Sequence, residues 1–302
     1  YRDRYGVEVD PARIVVTTGS SGAFILSFLA AFDQGARVAV TAPGYPAYRN
    51  ILSALGIEVV EIEVGPQTRF QPTPALLDKA GKLDGLIVAS PANPTGTMLS
   101  AADLKARSDH CAARDIRFIS DEIYHGITYG DPATTALAVT DRAVVINSFS
   151  KYFSMTGWRL GWMVLPEELV RPVECLAQNL FISPPSLSQV AAVEVFGCRD
   201  ELEANVTRYA ANRAVLLDAL PKAGLDHFAP PDGAFYLYVD VGHVTNDSAD
   251  FCKRLLADTG VAITPGIDFD PSRGSRTLRI SFAGSTETMA EAARRLGAWL
   301  KR

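Results

Sequence analysis

The sequence predicts an α/β fold: a mostly parallel sheet sandwiched by helices, followed by a smaller C-terminal α+β unit. Three observations predict it. Short β-branched or wholly apolar runs alternate with helical stretches between residues 14 and 165, and such alternation builds parallel sheets covered on both faces. Two of the runs, Gly85-Leu86-Ile87-Val88-Ala89-Ser90 and Ala143-Val144-Val145-Ile146, are apolar nearly throughout, as strands buried on both sides are. Beyond Pro166 the order changes to long helices and then an alternating strand.

Composition permits this and excludes other classes. A chain of 302 residues, 48% hydrophobic and 21% charged, can bury a large core and is not disordered. A net charge of −5 gives no electrostatic basis for holding nucleic acid, and no apolar run reaches the roughly 18 residues needed to span a bilayer. Cys111, Cys175, Cys198 and Cys252 are scattered without a CxxC, so they read as free thiols in a reducing, cytoplasmic compartment. The histidines form no HxH or HExxH pattern, so no metal is expected. The opening Tyr1-Arg2-Asp3-Arg4-Tyr5 is neither a methionine start nor a signal peptide and looks like the middle of a helix. An N-terminal segment is therefore expected to be missing.

In chain order, Ile14 to Thr18 is a strand that runs into Gly19-Ser20-Ser21-Gly22 and a helix from Ala23 to about Phe32. Strand, small-residue turn and helix together present free N–H groups and hydroxyls to an anion. Arg37 to Thr41 is a strand, Pro43-Gly44-Tyr45-Pro46 a turn, Tyr48 to Leu55 a helix and Glu58 to Ile62 a strand. A short helix from Ala75 precedes the buried run at Gly85, and Pro91 to Gly96 is a loop dense in turn formers. A helix from Ala101 to about Arg114 leads to the strand Ile116 to Ser120, which ends in Asp121-Glu122-Ile123-Tyr124. The strand Ala143 to Ile146 delivers Asn147-Ser148-Phe149-Ser150-Lys151, and Leu160 to Leu165 is a further strand. Helices follow at Glu167 to Leu180, Leu187 to Phe196 and Glu201 to Leu220. Asp232 to Val239, Val261 to Thr264 and Thr277 to Phe282 read as strands, with helices at Ala249 to Thr259 and Glu287 to Leu300. The expected division is a large domain over 1–200 and a small one over 201–302, bridged by the long helix.

In open parallel sheets ligands sit beyond the carboxyl ends of the strands. Ser20, Ser21, Tyr45, Asn93, Asp121, Tyr124, Ser148 and Lys151 all fall at or just after such ends. Singly, each has a plainer reading: Lys151 a surface lysine, Asp121 a turn cap, Asn93 an Asx turn before Pro94, Arg159 a surface charge. Together they are the parts that hold pyridoxal 5′-phosphate. Lys151 can form an imine with a carbonyl cofactor and later shuttle a proton as a free base. Asp121 can keep the pyridine nitrogen protonated, Tyr45 can stack on the ring, and Asn93 and Tyr124 can donate to the phenolate oxygen. Ser20, Ser21, Ser148 and Arg159 can take the phosphate.

These blocks carry a resemblance. Ser90-Pro91-Ala92-Asn93-Pro94-Thr95-Gly96, Ser120-Asp121-Glu122-Ile123-Tyr124, Ser148-Phe149-Ser150-Lys151 and Gly157-Trp158-Arg159-Leu160-Gly161 resemble, in order and spacing, the class I/II pyridoxal-phosphate-dependent aminotransferases of fold type I. The later Gly233-Ala234-Phe235-Tyr236 and Leu278-Arg279-Ile280-Ser281 match as well, so the resemblance covers nearly the whole chain. It implies that Lys151 is the Schiff-base lysine, that the cofactor contacts are those above, and that Arg279 binds the substrate α-carboxylate. It implies an amino acid and a 2-oxo acid as substrates and a homodimer. It also implies that a tyrosine from the N-terminal region reaches the partner's phosphate, and no residue here corresponds to it. Ala92-Asn93-Pro94 replaces the family's common Asn-Asn-Pro and keeps the key amide.

The expected activity is transfer of an amino group from an L-amino acid to a 2-oxo acid. A carbon–sulfur β-lyase using the same Lys151 and Asp121, and an aminotransferase-like effector domain of a transcription regulator, are the alternatives. Gly19-Ser20-Ser21-Gly22 fits neither G-x-S-x-G nor G-x-G-x-x-G, which removes serine-hydrolase and dinucleotide readings. Aspartate, alanine, branched-chain and aromatic donors all stay open, although Tyr45, Phe235 and Tyr236 favour apolar or mixed side chains.

Overall fold

A computed structural model of the chain describes residues 1–301. Helix α1 (Arg2–Tyr5) precedes strand β1 (Ile14–Thr17), and helix α2 (Gly19–Ala31) begins just beyond that strand. Then come β2 (Arg37–Ala42), α3 (Pro46–Ala54), β3 (Glu58–Glu63), α4 (Pro74–Lys79), β4 (Gly85–Ala89), α5 (Ala101–Ala113), β5 (Arg117–Asp121) and β6 (Val144–Ser148). After β7 (Gly161–Val164), helices α6 (Glu167–Leu180), α7 (Ser186–Val195) and α8 (Arg199–Lys222) run in succession. The chain closes with β8 (Tyr236–Asp240), α9 (Ser248–Thr259), β9 (Thr264–Pro265), β10 (Thr277–Ser281) and α10 (Thr286–Trp299). Side-chain caps fix several helix starts: Thr73, Ser100, Asp247 and Ser285 each accept an N–H from the first turn. Among the described residues no helix is long and apolar enough to cross a membrane.

The fold is the predicted α/β one. Seven strands form one sheet in the order β1-β7-β6-β5-β4-β2-β3, and β8-β10-β9 form a second. Strands β2 to β6 are mutually parallel, whereas β7 runs antiparallel to both β6 and β1. The period of two sorts the large sheet's core onto two faces. Ile87, Ile119 and Ile146 pack with Phe24, Phe28 and Leu52 on one side, while Leu86, Val88, Phe118 and Val145 pack with Leu104 on the other. Each fully buried side chain of this kind contributes about 1.5–3 kcal/mol, so the sheet is a rigid base for whatever its edge carries.

Two expected strands are shorter than their sequence pattern. The stretch from Asp232 is extended only from Tyr236, because the Asp232 and Gly233 N–H groups bond to Gly96 O and Ala234 N–H to Ile127 O. Ala234 accordingly sits at a φ of 57°. Of Val261 to Thr264, only Thr264 joins the sheet, paired with Arg279.

Candidate active site

Register explains why distant residues meet at one edge. Thr17 lies opposite Gly161, and Gly161 opposite Ser148. Helix α2 starts just after Thr17 and Arg159 stands just before Gly161, so the helix N-terminus and the arginine share a corner. Gly19 has φ +74°, which favours glycine, and a Cβ there would stand 2.7 Å from Arg159 Nη2 and displace the guanidinium. Thr18 gives α2 no side-chain cap, leaving its first-turn N–H groups, the Ser20 and Ser21 hydroxyls and the Arg159 guanidinium for an anion. The arginine is steadied by a bond from Nη1 to Thr156 O at 2.9 Å.

Ser20, Ser21, Tyr45, Asn93, Asp121, Tyr124, Lys151, Arg159 and Arg279 all line one cleft of about 190 Å³. Of the sequence-nominated residues, Ser148 alone does not. It is buried, its hydroxyl is bonded to Leu160 O and Ser150 Oγ, and it is Ser150 that faces the cleft. A larger groove, about 500 Å³, lies at the opposite edge of the sheet. Both arginines of its lining are paired there, Arg117 with Glu168 and Arg142 with Asp115, so volume alone does not locate the chemistry.

Asp121 ends β5 level with Ala89 and Ile146 and is buried. Its Oδ1 accepts the Ile123 N–H at 3.0 Å, and its Oδ2 accepts the hydroxyl of Tyr48. Burial lifts its pKa to about 6, against the opposing pull of those bonds and the Lys151 charge. Each carboxylate oxygen has a further lone pair, so a cation in the cleft can still be bound. Tyr48 was not singled out in the sequence. It follows Tyr45 by one helical turn, which places both rings on the same side of α3, 5.4 Å apart.

Lys151 is half-buried, with Nζ 5.7 Å from the Tyr124 ring centroid and 5.9 Å from that of Phe235. Burial, then the charge of Arg279, lowers its pKa below the ordinary lysine value. Arg279 donates to Asn93 Oδ1 at 3.0 Å and Thr264 Oγ1 at 3.2 Å, and lies between the rings of Tyr236 and Phe269. Its Nε is buried without a partner, an unspent donor beside the cleft. Gly96, at φ +70°, lets the Pro91 to Gly96 loop pass so close to Pro231, Gly233 and Tyr236 that a Cβ would collide with the first two and crowd the Tyr236 carbonyl. That contact joins the asparagine's loop to the start of β8.

Behind Asp121 lies a second buried acid. Glu122 Oε1 accepts from Ser120, Thr135 and the Ala136 N–H, while Oε2 has no hydrogen-bond partner. His125 Nδ1 is 3.5 Å from that oxygen, faces the Tyr5 hydroxyl at 2.8 Å, and its Nε2 faces Ser90 O at 3.0 Å. Burial raises Glu122 to about 7 and lowers His125 to about 3, so the neighbours are not an ion pair at mildly acidic pH. A carboxyl with a raised native pKa stabilises the fold at low pH and loses that contribution as pH climbs through the native value. Glu122→Gln is therefore expected to gain stability relative to wild type between pH ~4.5 and ~7, by about 3 kcal/mol. Urea unfolding across that range tests it, and a pH-independent difference would refute it.

The arrangement is that of an α/β enzyme whose sheet edge brings together an amine, a buried acid, an uncapped helix N-terminus beside one arginine, and a second arginine held by Asn93 and Thr264. The family model for aminotransferase class I and II matches residues 1–296, and the chain belongs to that family. A valine–pyruvate aminotransferase of Mycobacterium tuberculosis is 57% identical over 305 residues, covering 99% of this chain and 79% of the relative. The crystal structure of an aminotransferase from Mycobacterium tuberculosis superposes with TM-score 0.97 at 56% identity, covering 100% of this chain and 79% of that one. An aspartate aminotransferase from Thermus thermophilus with maleate gives 0.91 at 30% identity, over 98% and 78% of the two chains. The protein is thus a transaminase, moving an amino group from an amino acid to a 2-oxo acid.

Proposed function

We propose that this aminotransferase binds pyridoxal 5′-phosphate in the 190 Å³ cleft and takes amino acids with uncharged, apolar side chains. The convergence of Lys151, Asp121, the uncapped α2 N-terminus with Arg159, and Arg279 on that cleft carries the reading. Bound there, the cofactor supplies an aldehyde carbon for amines and a ring that draws off the electron pair left when a proton leaves the substrate Cα.

The chain's own residues do the rest. Ser20, Ser21, Arg159 and the α2 N–H groups hold the phosphate, while Ser148, expected among them, instead braces Ser150 from outside the cleft. Asp121 holds a proton on the ring nitrogen by offering it a buried negative charge. Tyr45 covers the ring, and Asn93 and Tyr124 donate to its oxygen. Lys151 Nζ, its basicity moderated by burial and by Arg279, is the amine that anchors the cofactor and then accepts the Cα proton. Arg279 fixes the α-carboxylate and with it the orientation of the Cα–H bond.

Among the described residues lining the cleft the cations are Lys151, Arg159 and Arg279. All three have tasks, which leaves none for a distal carboxylate, while Tyr45 and Tyr236 offer apolar surface. The name of the 57% identical relative supports valine and pyruvate as the pair. Incubation with the cofactor, L-valine and pyruvate is expected to give 3-methyl-2-oxobutanoate and alanine in equal amounts. No alanine from that mixture, together with pyruvate and ammonia from a cysteine S-conjugate, would overturn the reading in favour of a lyase.

The same reading includes a homodimer in the cytoplasm and a division into units over 1–200 and 201–302. Leu187, Val190, Val193 and Phe196 on and after α7 are 72%, 66%, 70% and 65% exposed, an apolar row that a second copy would cover. Free thiols at Cys111, Cys175, Cys198 and Cys252 support the reducing compartment.

A further inference from the structure

We infer that Tyr236 is a positioning residue with two separable jobs: its ring holds the Arg279 guanidinium, and its hydroxyl directs the proton of Tyr124 into the cleft. Tyr236 opens β8, is buried, and lies across from Ser281 at the end of the strand that carries Arg279. Its ring centroid is 4.4 Å from Arg279 Cζ, with Phe269 on the other side at 4.6 Å. A guanidinium between two rings keeps its plane and its charge while its edge stays free for a carboxylate.

The hydroxyl does something else. Tyr236 Oη is 3.0 Å from Tyr124 Oη, and these rings meet edge to face at 5.8 Å. Each phenol has one proton and can accept as well. When Tyr236 donates to Tyr124, the Tyr124 proton is left to point elsewhere, and Tyr124 lines the cleft beside Lys151 and Asn93. A phenol that accepts a hydrogen bond is itself a stronger donor. Asn93 closes the circuit by accepting from Arg279 Nη1 at 3.0 Å. The residue that grips the substrate carboxylate and the two that address the cofactor oxygen therefore share one support.

This inference rests on the cofactor reading above, and holoenzyme spectra separate the two. In Tyr236→Phe the ring remains and the hydroxyl is gone. The midpoint of the bound cofactor's absorbance change with pH is expected to move up by about half to one pH unit, the size of one ordinary hydrogen bond. The Kd for isovalerate, a branched carboxylate without an amine, should stay within about twofold. In Tyr236→Leu the same midpoint shift should be joined by a roughly tenfold weaker isovalerate Kd, the loss expected of a desolvated cation–π contact. A wild-type midpoint in Tyr236→Phe would overturn the inference, as would equal loss of isovalerate binding in both variants. Should Tyr236→Leu fail to fold, the Tyr236→Phe titration still decides. A wild-type protein without any cofactor absorbance would instead refute the cofactor reading itself.

Discussion

Replacing Lys151 with alanine is expected to remove transamination, lowering kcat by at least ~10⁴-fold, the upper range for a general acid–base group, because an anchoring amine is lost with it. The substitution should be structurally mild. The loop is held by other atoms: Ser150 N bonds to Ser148 Oγ, Thr156 Oγ1 to Ser150 O, and Phe149 N to Leu160 O. Lys151 makes no hydrogen bond that would be broken, and its half-buried amine leaves behind the aromatic wall of Tyr124 and Phe235. Borohydride reduction followed by mass spectrometry should find the cofactor attached to the peptide containing Lys151 in wild type and to no peptide in the variant. Activity within tenfold of wild type, or attachment at another lysine, would refute the assignment.

Asp121→Asn is expected to lower kcat by ~10²–10³-fold, the usual effect of removing one preorganised electrostatic partner. The amide oxygen can still accept the Ile123 N–H, and the amide NH2 in place of Oδ2 can donate to the Tyr48 hydroxyl, which then turns acceptor, so the geometry at the end of β5 is retained. What disappears is the buried charge. That charge is costly in the free protein, which is why the carboxyl titrates near 6 rather than in the ordinary aspartate range. The cofactor-free variant should therefore be at least as stable as wild type at pH 7, while the loaded enzyme is crippled. A loss of thermal stability parallel to the loss of kcat would make Asp121 a structural residue instead.

The sheet was legible because its strands announce themselves locally. Gly85 to Ala89 and Val144 to Ser148 are buried on both sides, and an apolar run of that length has few other uses. That the candidate site residues would share one cleft was legible for a related reason: residues at the carboxyl ends of parallel strands face one edge whatever the exact boundaries. Side-chain direction was not legible. Ser148 ends β6 and Ser150 follows two positions later, and only the bond that sends the Ser148 hydroxyl toward Leu160 O tells them apart. Nor were the supports. Tyr124 and Tyr236 meet across 112 positions of sequence, and Tyr48 and Asp121 across 73. The unpartnered oxygen of Glu122 is likewise a property of what Thr135, Ala136 and His125 do around it. The stretch from Asp232 fails as a strand because Gly96 and Ile127, far away in the chain, claim its N–H groups.

The pairing of β1 also sets an order of assembly. Strand β1 stands at the edge of the large sheet, and its one neighbour there is β7, with Thr17 opposite Gly161. Strands β2 to β5 can pair soon after each is made, but β1 waits for a segment about 147 positions downstream. Closing so long a loop is slow relative to local pairing. The N-terminus of α2 and the guanidinium of Arg159 are brought together by that same closure. That corner, though begun at Thr17 and Gly19, is thus among the last parts of the large sheet to form, and a nascent chain that stops short of β7 lacks it altogether.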